Sequence, residues 1–155
     1  MTQLAKLLEA ALFASAQVGA WDEIVLPETM TRPQFEAFVV RTAKGRGIDV
    51  ERAFPFILRG ALPGLKWHVV TGAAPQHGGA DRGAGVDAQG HAGNRVFERA
   101  EAAAVLLGFY SGAAFEGVIS HPGERFHVHY ADPEFSVSGH ADEYHVAKGA
   151  VLALP

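Results

Sequence analysis

The chain has 155 residues, 48% of them hydrophobic and 19% charged, a balance that predicts one globular domain with a real apolar core. Its formal net charge of −4 offers no basic excess for binding nucleic acid through phosphates. Cysteine is absent, so disulfides and thiolate metal sites are excluded, and a metal ion would need imidazole, carboxylate or water. No segment reaches the roughly 18 consecutive apolar residues of a membrane span, and we expect a cytoplasmic protein without a membrane partner.

The first thirty residues predict a helix and a short strand. Apolar side chains recur at helical spacing between residues 4 and 18, with Thr2 as a candidate N-cap. The stretch EIVLPE, residues 23–28, predicts a strand that ends at the proline. We therefore expect an amphipathic helix followed by a strand.

A second helix has a clear start signal. Thr31 precedes Pro33 and Gln34, which is the pattern of a capping box with proline in the first turn. Gly45 and Gly47 predict its end. The expected apolar face consists of Phe35, Phe38, Val39 and Thr42.

Two strands are predicted in the middle of the chain. RAFPFILRGAL, residues 52–62, contains Pro55, which favours an edge strand because proline cannot donate a ladder hydrogen bond. LKWHVVTG, residues 65–72, alternates its side chains, with Trp67 on one face and His68 on the other.

A glycine-rich loop follows at residues 72–94. Seven of these 23 residues are glycine, and such a segment cannot bury a core. A loop of this length is typical of a lid, a binding loop or a mobile surface insertion. It contains His77, Arg82 and His91, of which we expect the two histidines to be bystanders.

The rest of the chain predicts mainly strands. Residues 95–111 are compatible with a helix in their alanine-rich half and with a buried strand in AVLLGFYS. Residues 116–123 predict a strand and turn, and residues 126–132 and 143–154 predict two or three further strands. We therefore predict a single α+β domain over residues 1–155, with helices packed on a mixed or antiparallel sheet.

Three histidines lie close together in RFHVHYADPEFSVSGH. His127 and His129 project from one face of a strand, with side-chain bases roughly 7 Å apart. A turn built on Pro133 and Gly139 can return His140 to that face. Three histidines with one open position are typical of a catalytic zinc site. Histidine pairs of this spacing also occur on solvent-exposed strands that bind no metal.

The C-terminal part resembles the acetolactate decarboxylase family. The resemblance rests on VFERAEAAAVLLGFYS, followed by HPGERFHVHYADPEFSVSGHADEY, and covers residues 30–146, most closely after Val96. It implies an acetolactate decarboxylase-like fold and a zinc ion bound by His127, His129 and His140. It also implies a decarboxylase that acts on a small 2-hydroxy-3-oxo acid, whose oxygen atoms chelate the metal.

The resemblance also suggests where acid, base and arginine groups would lie. The family's catalytic arginine follows the strand aligned with residues 66–71, which makes Arg82 the candidate in this chain. Glu124 precedes His127 by three residues, and Glu143 follows His140 by three. We take both glutamates as candidate acid/base residues, although surface charges are the common alternative. Further carboxylates near the histidines are Asp132, Glu134 and Asp142.

Two other interpretations remain open. The first is a non-catalytic, zinc-binding oligomeric module, similar to the plant-and-prokaryote conserved domains, in which the chain forms a homo-oligomer. The second is a cupin-like metalloenzyme with Glu134 as a fourth ligand. The sequence contains neither a serine-hydrolase elbow nor a phosphate loop, so the expected partner is a small-molecule substrate.

Overall fold

A computed structural model describes residues 20–70 and 94–155. The helix predicted at residues 4–18, with Thr2, lies outside the described residues. So does nearly all of the loop at residues 72–94, including His77, Arg82 and His91. Over the two described ranges, no helix has both the length and the apolar character needed to cross a membrane.

The described parts of the chain form eight strands and one helix. In chain order these are β1 (Asp22–Val25), β2 (Met30–Thr31), α1 (Arg32–Gly45), β3 (Phe54–Val70), β4 (Asn94–Tyr110), β5 (Phe126–Ala131), β6 (Ser138–Glu143), β7 (His145–Val146) and β8 (Val151–Leu154). Six strands form one sheet in the order β1-β8-β3-β4-β5-β6, and β2 pairs with β7. Every one of these strand pairings is antiparallel, so the main sheet is antiparallel rather than mixed.

Strand β3 is longer and more central than the sequence predicts. The two strands expected at residues 52–62 and 65–72 form one strand of 17 residues. The prediction of an edge strand is wrong, because β4 pairs along one edge of β3 while β8 and β6 share the other. Pro55 and Pro63 lie outside the parts of β3 that pair with β8 and β6. Because these prolines have no N–H group to donate, their positions leave both pairings intact.

The pairing of β3 with β6 closes a ring of strands. β3 pairs with β4, β4 with β5, β5 with β6, and β6 again with β3 through Trp67 and His68. The closure brings residues from β3 next to residues from β5 and β6, although more than 50 positions separate them in the sequence. The ring thereby gathers side chains that no local pattern would group.

Helix α1 begins and ends as its sequence predicts. The Thr31 hydroxyl accepts a hydrogen bond from the Gln34 N–H, the Gln34 side chain accepts one from the Thr31 N–H, and the helix ends at Gly45. Phe35 and Val39 of the predicted face are buried, together with Ala43, whereas the predicted Phe38 and Thr42 are not among the buried residues.

The prediction of helices packed on the sheet holds only in part. One helix is present among the described residues, and it lies beside β2 and β7. It reaches the main sheet through the Phe35 ring, which contacts Phe56 of β3 edge to face at 6.0 Å.

Two further elements differ from expectation. The alanine-rich half of residues 95–111 is not helical, because the whole segment belongs to the 17-residue strand β4. The strand predicted at residues 116–123 is a series of turns with one isolated bridge between Glu116 and Ser120.

The core covers one face of the strands that carry the histidines. Phe126, Val128 and Tyr130 of β5 point into it, together with Trp67 of β3 and Ala141 of β6. The residues that alternate with these point to the opposite face, and that face holds the histidines.

Candidate metal centre

Strand β5 places His127 and His129 side by side. They alternate with the core residues of β5, and both are buried, with 7% and 5% of their surface exposed. The two Nε2 atoms lie 3.0 Å apart. At that distance either one ring donates a hydrogen bond to the other, or both nitrogens present lone pairs to a shared ion.

Both rings favour the neutral form that binds metals. Burial is the main reason that the pKa of His127 is lowered to about 4, and the neighbouring His140 and His121 lower it too. Burial, followed by electrostatic repulsion from His127 and His140, lowers the pKa of His129 to about 3. At neutral pH no proton therefore has to leave either ring before a cation binds.

His140 reaches the pair through strand register. It is the partner of His129 in the β5–β6 ladder, and its ring centroid lies 5.2 Å from that of His127 and 5.6 Å from that of His129. The turn between β5 and β6 differs from the predicted one. The Asp132 carboxylate closes it by accepting a hydrogen bond from the Val137 N–H at 2.9 Å. Gly139 lies within β6 rather than in the turn.

The His140 ring fits a metal ligand. Both of its nitrogens are buried without a hydrogen-bond partner. The nearest acceptor is the Asp142 carboxylate, 3.4 Å from Nδ1. A buried imidazole without partners is unfavourable unless its lone pair meets a cation. The donor set at this point consists of imidazole nitrogens, which suit zinc.

His68 and Asp142 extend the cluster on the β3 side. His68 Nδ1 lies 2.8 Å from Asp142 Oδ1, and one ligand atom each from His68, His140 and Asp142 lies within 4.8 Å of the others. Burial raises the pKa of Asp142, but electrostatic interactions with the nearby His140 and His68 outweigh it and hold the pKa below its usual value. The sequence pattern assigned no role to His68, because only the β3–β6 pairing brings it here.

His121 approaches from the turn before β5. One ligand atom each from His121, His127 and His140 lies within 4.8 Å of the others. The sequence predicts a turn near residue 123, but no pattern there indicates that His121 is a ligand. Five of the eight histidines of the chain thus meet at one place.

The two glutamates predicted as acid/base residues make their described contacts elsewhere. Glu124 lies 4.0 Å from an Arg32 nitrogen, and Glu143 lies 3.2 Å from Lys66 Nζ with 68% of its side chain exposed. Asp142 is the carboxylate that contacts the histidines. Strand alternation explains this, because Asp142 shares the face of His140 and Glu143 does not.

A separate cavity of about 1150 Å³ lies against α1. Arg32, Glu124 and Tyr144 are in its wall, and Asp142 joins them there. The five clustered histidines do not line it. Asp142 is therefore the residue that this cavity shares with the histidine cluster.

Comparison with known proteins identifies the fold. No protein-family model and no curated protein sequence matches the chain. Among solved structures, α-acetolactate decarboxylase from Bacillus subtilis strain 168 matches with a TM-score of 0.61 and 15% identity, over 88% of this chain and 52% of that one. A Staphylococcus aureus protein of unknown function, described as similar to α-acetolactate decarboxylase, matches with a TM-score of 0.57 and 14% identity, over 88% and 51%.

Acetolactate decarboxylase from Bacillus subtilis subspecies spizizenii matches with a TM-score of 0.56 and 18% identity, over 88% of this chain and 52% of that one. The chain spans about half the length of these three neighbours. At such low identity the likeness is one of fold. The described domain therefore has an acetolactate decarboxylase-like fold.

Proposed function

We propose that the chain binds zinc through His127, His129 and His140 and decarboxylates a small chelating 2-hydroxy-3-oxo acid. The observation that carries the proposal is the burial of both His140 ring nitrogens without hydrogen-bond partners, beside the buried His127 and His129. The acetolactate decarboxylase-like fold supports the choice of reaction.

A bound zinc ion would supply a Lewis acid that polarises substrate oxygens and holds the negative charge left when carbon dioxide departs. His127 and His129 stay neutral because they are buried, so their lone pairs are available at neutral pH. Leu107, a buried residue of β4, is the register partner of His129 and places an apolar side chain beside it on the same face of the sheet.

Asp142 and His68 have a positioning role in this proposal. The Asp142 carboxylate contacts Nδ1 of both His68 and His140, which turns Nε2 of His140 away from it. Arg32 donates a hydrogen bond of 2.6 Å to the Asp142 backbone carbonyl and so ties this part of β6 to the start of α1. The orientation of His140 is thereby set by groups outside the three proposed ligands.

Metal analysis of the purified chain tests the first half of the proposal. We expect about one zinc per chain, and a large loss of zinc in His127→Ala and His140→Ala. His145→Ala is the matched control, since His145 is an exposed histidine of β7. A chain without stoichiometric zinc after reconstitution, and unaffected by His127→Ala, would refute the proposed centre.

Acetoin release from acetolactate tests the second half. We expect turnover by the zinc-loaded chain and none by His140→Ala. A fully metallated chain that releases no acetoin would exclude acetolactate as the substrate and favour the second candidate below.

The second candidate is a non-catalytic zinc-binding module that forms a homo-oligomer. One observation favours it: the carboxylates of both predicted acid/base residues, Glu124 and Glu143, form ion pairs with basic residues and have no described contact with the histidine rings. Light scattering would show the oligomer. If the oligomer depends on metal and is lost in His140→Ala, its formation is linked to the centre. A cupin-like site receives no support from Glu134, which lies exposed in the turn between β5 and β6.

A further inference from the structure

We infer that His121 is a fourth nitrogen ligand of the metal, presented by the turn before β5. This inference rests on the proposed zinc centre and adds a ligand to it. Together with the three strand histidines, His121 would give an all-imidazole site without a carboxylate ligand.

The positions of the rings carry the inference. One ligand atom from His121 lies within 4.8 Å of those of both His127 and His140. The His121 ring centroid is 6.0 Å from that of His127 and 5.6 Å from that of His140. Nitrogens that share one tetrahedral zinc at 2.0–2.1 Å lie about 3.3 Å apart, so the ligand atoms of His121, His127 and His140 would have to approach one another by at most about 1.5 Å.

The turn that carries His121 is held in a fixed shape. The Glu124 N–H donates to the His121 carbonyl at 3.0 Å, with Pro122 and Gly123 as the two central residues. Gly123 has a φ of 84°, the positive value that a type II turn needs at this position. The backbone of His121 is therefore set by a defined turn.

Side-chain hydrogen bonds hold this turn together and connect it to the residue that follows β4. The Ser120 hydroxyl donates to the Glu124 carbonyl at 2.5 Å and lies 3.0 Å from the hydroxyl of Ser111, which directly follows β4. Both serines are buried. The Glu116 carboxylate accepts from the Gly123 N–H at 2.9 Å. His121 is thus presented to the cluster by a preorganised support, as a ligand requires.

The ligand set has a consequence for the charge of the site. Four neutral imidazoles leave the 2+ charge of zinc uncompensated by its ligands. Asp142, the carboxylate in contact with the cluster, acts on His68 and His140. The centre would therefore favour an anionic chelating ligand, such as a carboxylate with a neighbouring oxygen, which raises the zinc coordination number when it binds.

X-ray absorption at the zinc edge of the unmodified, zinc-loaded chain tests the inference without any substitution. We expect four imidazole nitrogens at the metal. Cobalt titration, followed by visible absorption, adds a second measurement on His121→Ala, on the control His145→Ala and on His127→Ala. In His121→Ala we expect a loss of cobalt affinity of more than about 100-fold and a changed spectrum, since losing a direct ligand should exceed the effect of losing an outer partner.

The outcomes separate this inference from the proposed function. Three imidazoles in the unmodified chain, with His121→Ala binding cobalt as His145→Ala does while His127→Ala loses it, would overturn the role of His121 and leave the zinc centre standing. An unmodified chain that binds neither zinc nor cobalt would overturn both. Circular dichroism of each variant identifies any loss of binding that comes from unfolding.

Discussion

His68 and His140 face each other across the pairing of β3 with β6. They are register partners, and their rings stack with centroids 4.9 Å apart and planes 22° apart. The Asp142 carboxylate lies 2.8 Å from Nδ1 of the first ring and 3.4 Å from Nδ1 of the second. One carboxylate thus contacts two stacked imidazoles, so changes to it should alter the metal affinity of the proposed centre.

Asp142→Asn should weaken metal binding without removing a proposed ligand. The amide retains the shape of the carboxylate but loses its charge, so it orients and polarises His140 less strongly. We expect a loss of zinc affinity of about 10–100-fold, measured by competition with a chelator of known affinity. Asp22→Asn is the control, since Asp22 is an exposed partner of Arg46 on the far strand β1. Equal affinities in the two variants would contradict the positioning role.

Acid should destabilise the metal-free protein before its carboxylates are protonated. The pKa values of His127 and His129 are about 4 and 3 in the folded chain, against 6.5 for an unperturbed histidine. Between pH 6.5 and about 4 these histidines bind more protons in the unfolded chain than in the folded chain. Their contribution to the free energy of unfolding is therefore complete above pH 6.5 and falls as the pH drops towards 4. Each histidine contributes at most about 1.4 kcal/mol per pH unit.

Urea denaturation of the chelator-treated chain at several pH values measures this effect, and ring NMR follows the two histidines directly. We expect both rings to stay neutral at pH 5.5 while the urea midpoint is already below its value at pH 7.5. Rings that titrate near pH 6.5 would show that the pair is more exposed to water than the structure has it.

Gly139→Ala should disturb both the fold and the centre. A Cβ at this position would lie 2.5 Å from the His68 carbonyl oxygen and 2.7 Å from a ring carbon of Trp67. β6 would have to move away from β3, at a cost of about 1–3 kcal/mol, and would carry His140 with it. Thermal unfolding and zinc titration measure the two effects. Gly45→Ala is the control, because a Cβ there meets nothing within 4 Å.

Thr31→Ala should lower stability and leave zinc affinity unchanged. It removes the hydroxyl that accepts from the Gln34 N–H at the start of α1, and loss of such a cap costs about 1 kcal/mol. Thr42→Ala, inside the same helix, serves as the control because it removes a hydroxyl without affecting the cap. Equal urea midpoints for the two variants would show that the capping box contributes little.

Local patterns were sufficient for α1 and β5. The capping box of Thr31 and the glycine at position 45 gave the limits of the helix, because both signals act within a few residues. Alternation in β5 correctly placed His127 and His129 on one face. The same rule would also have selected Asp142 over Glu143, since residues two apart on a strand share a face.

The remaining parts of the site depend on contacts distant in sequence. His68 joins the cluster because β6 pairs with the far half of β3, and no pattern within residues 65–70 indicates that pairing. Pro55 suggested an edge strand, since the sequence does not reveal that β8 and β6 pair with other parts of β3. His121 reaches the other rings through the hydrogen bonds of its turn, which follow only from the packed structure.

The closed ring of β3, β4, β5 and β6 makes the centre a property of the folded chain alone. Apart from the His127 and His129 pair, the clustered histidines come from separate segments, so the unfolded chain holds no preformed chelator. A metal that binds the folded form adds its binding free energy to stability and makes the melting temperature depend on free metal concentration. Zinc availability would then govern how much of this protein survives heat or proteolysis, whatever the centre does chemically.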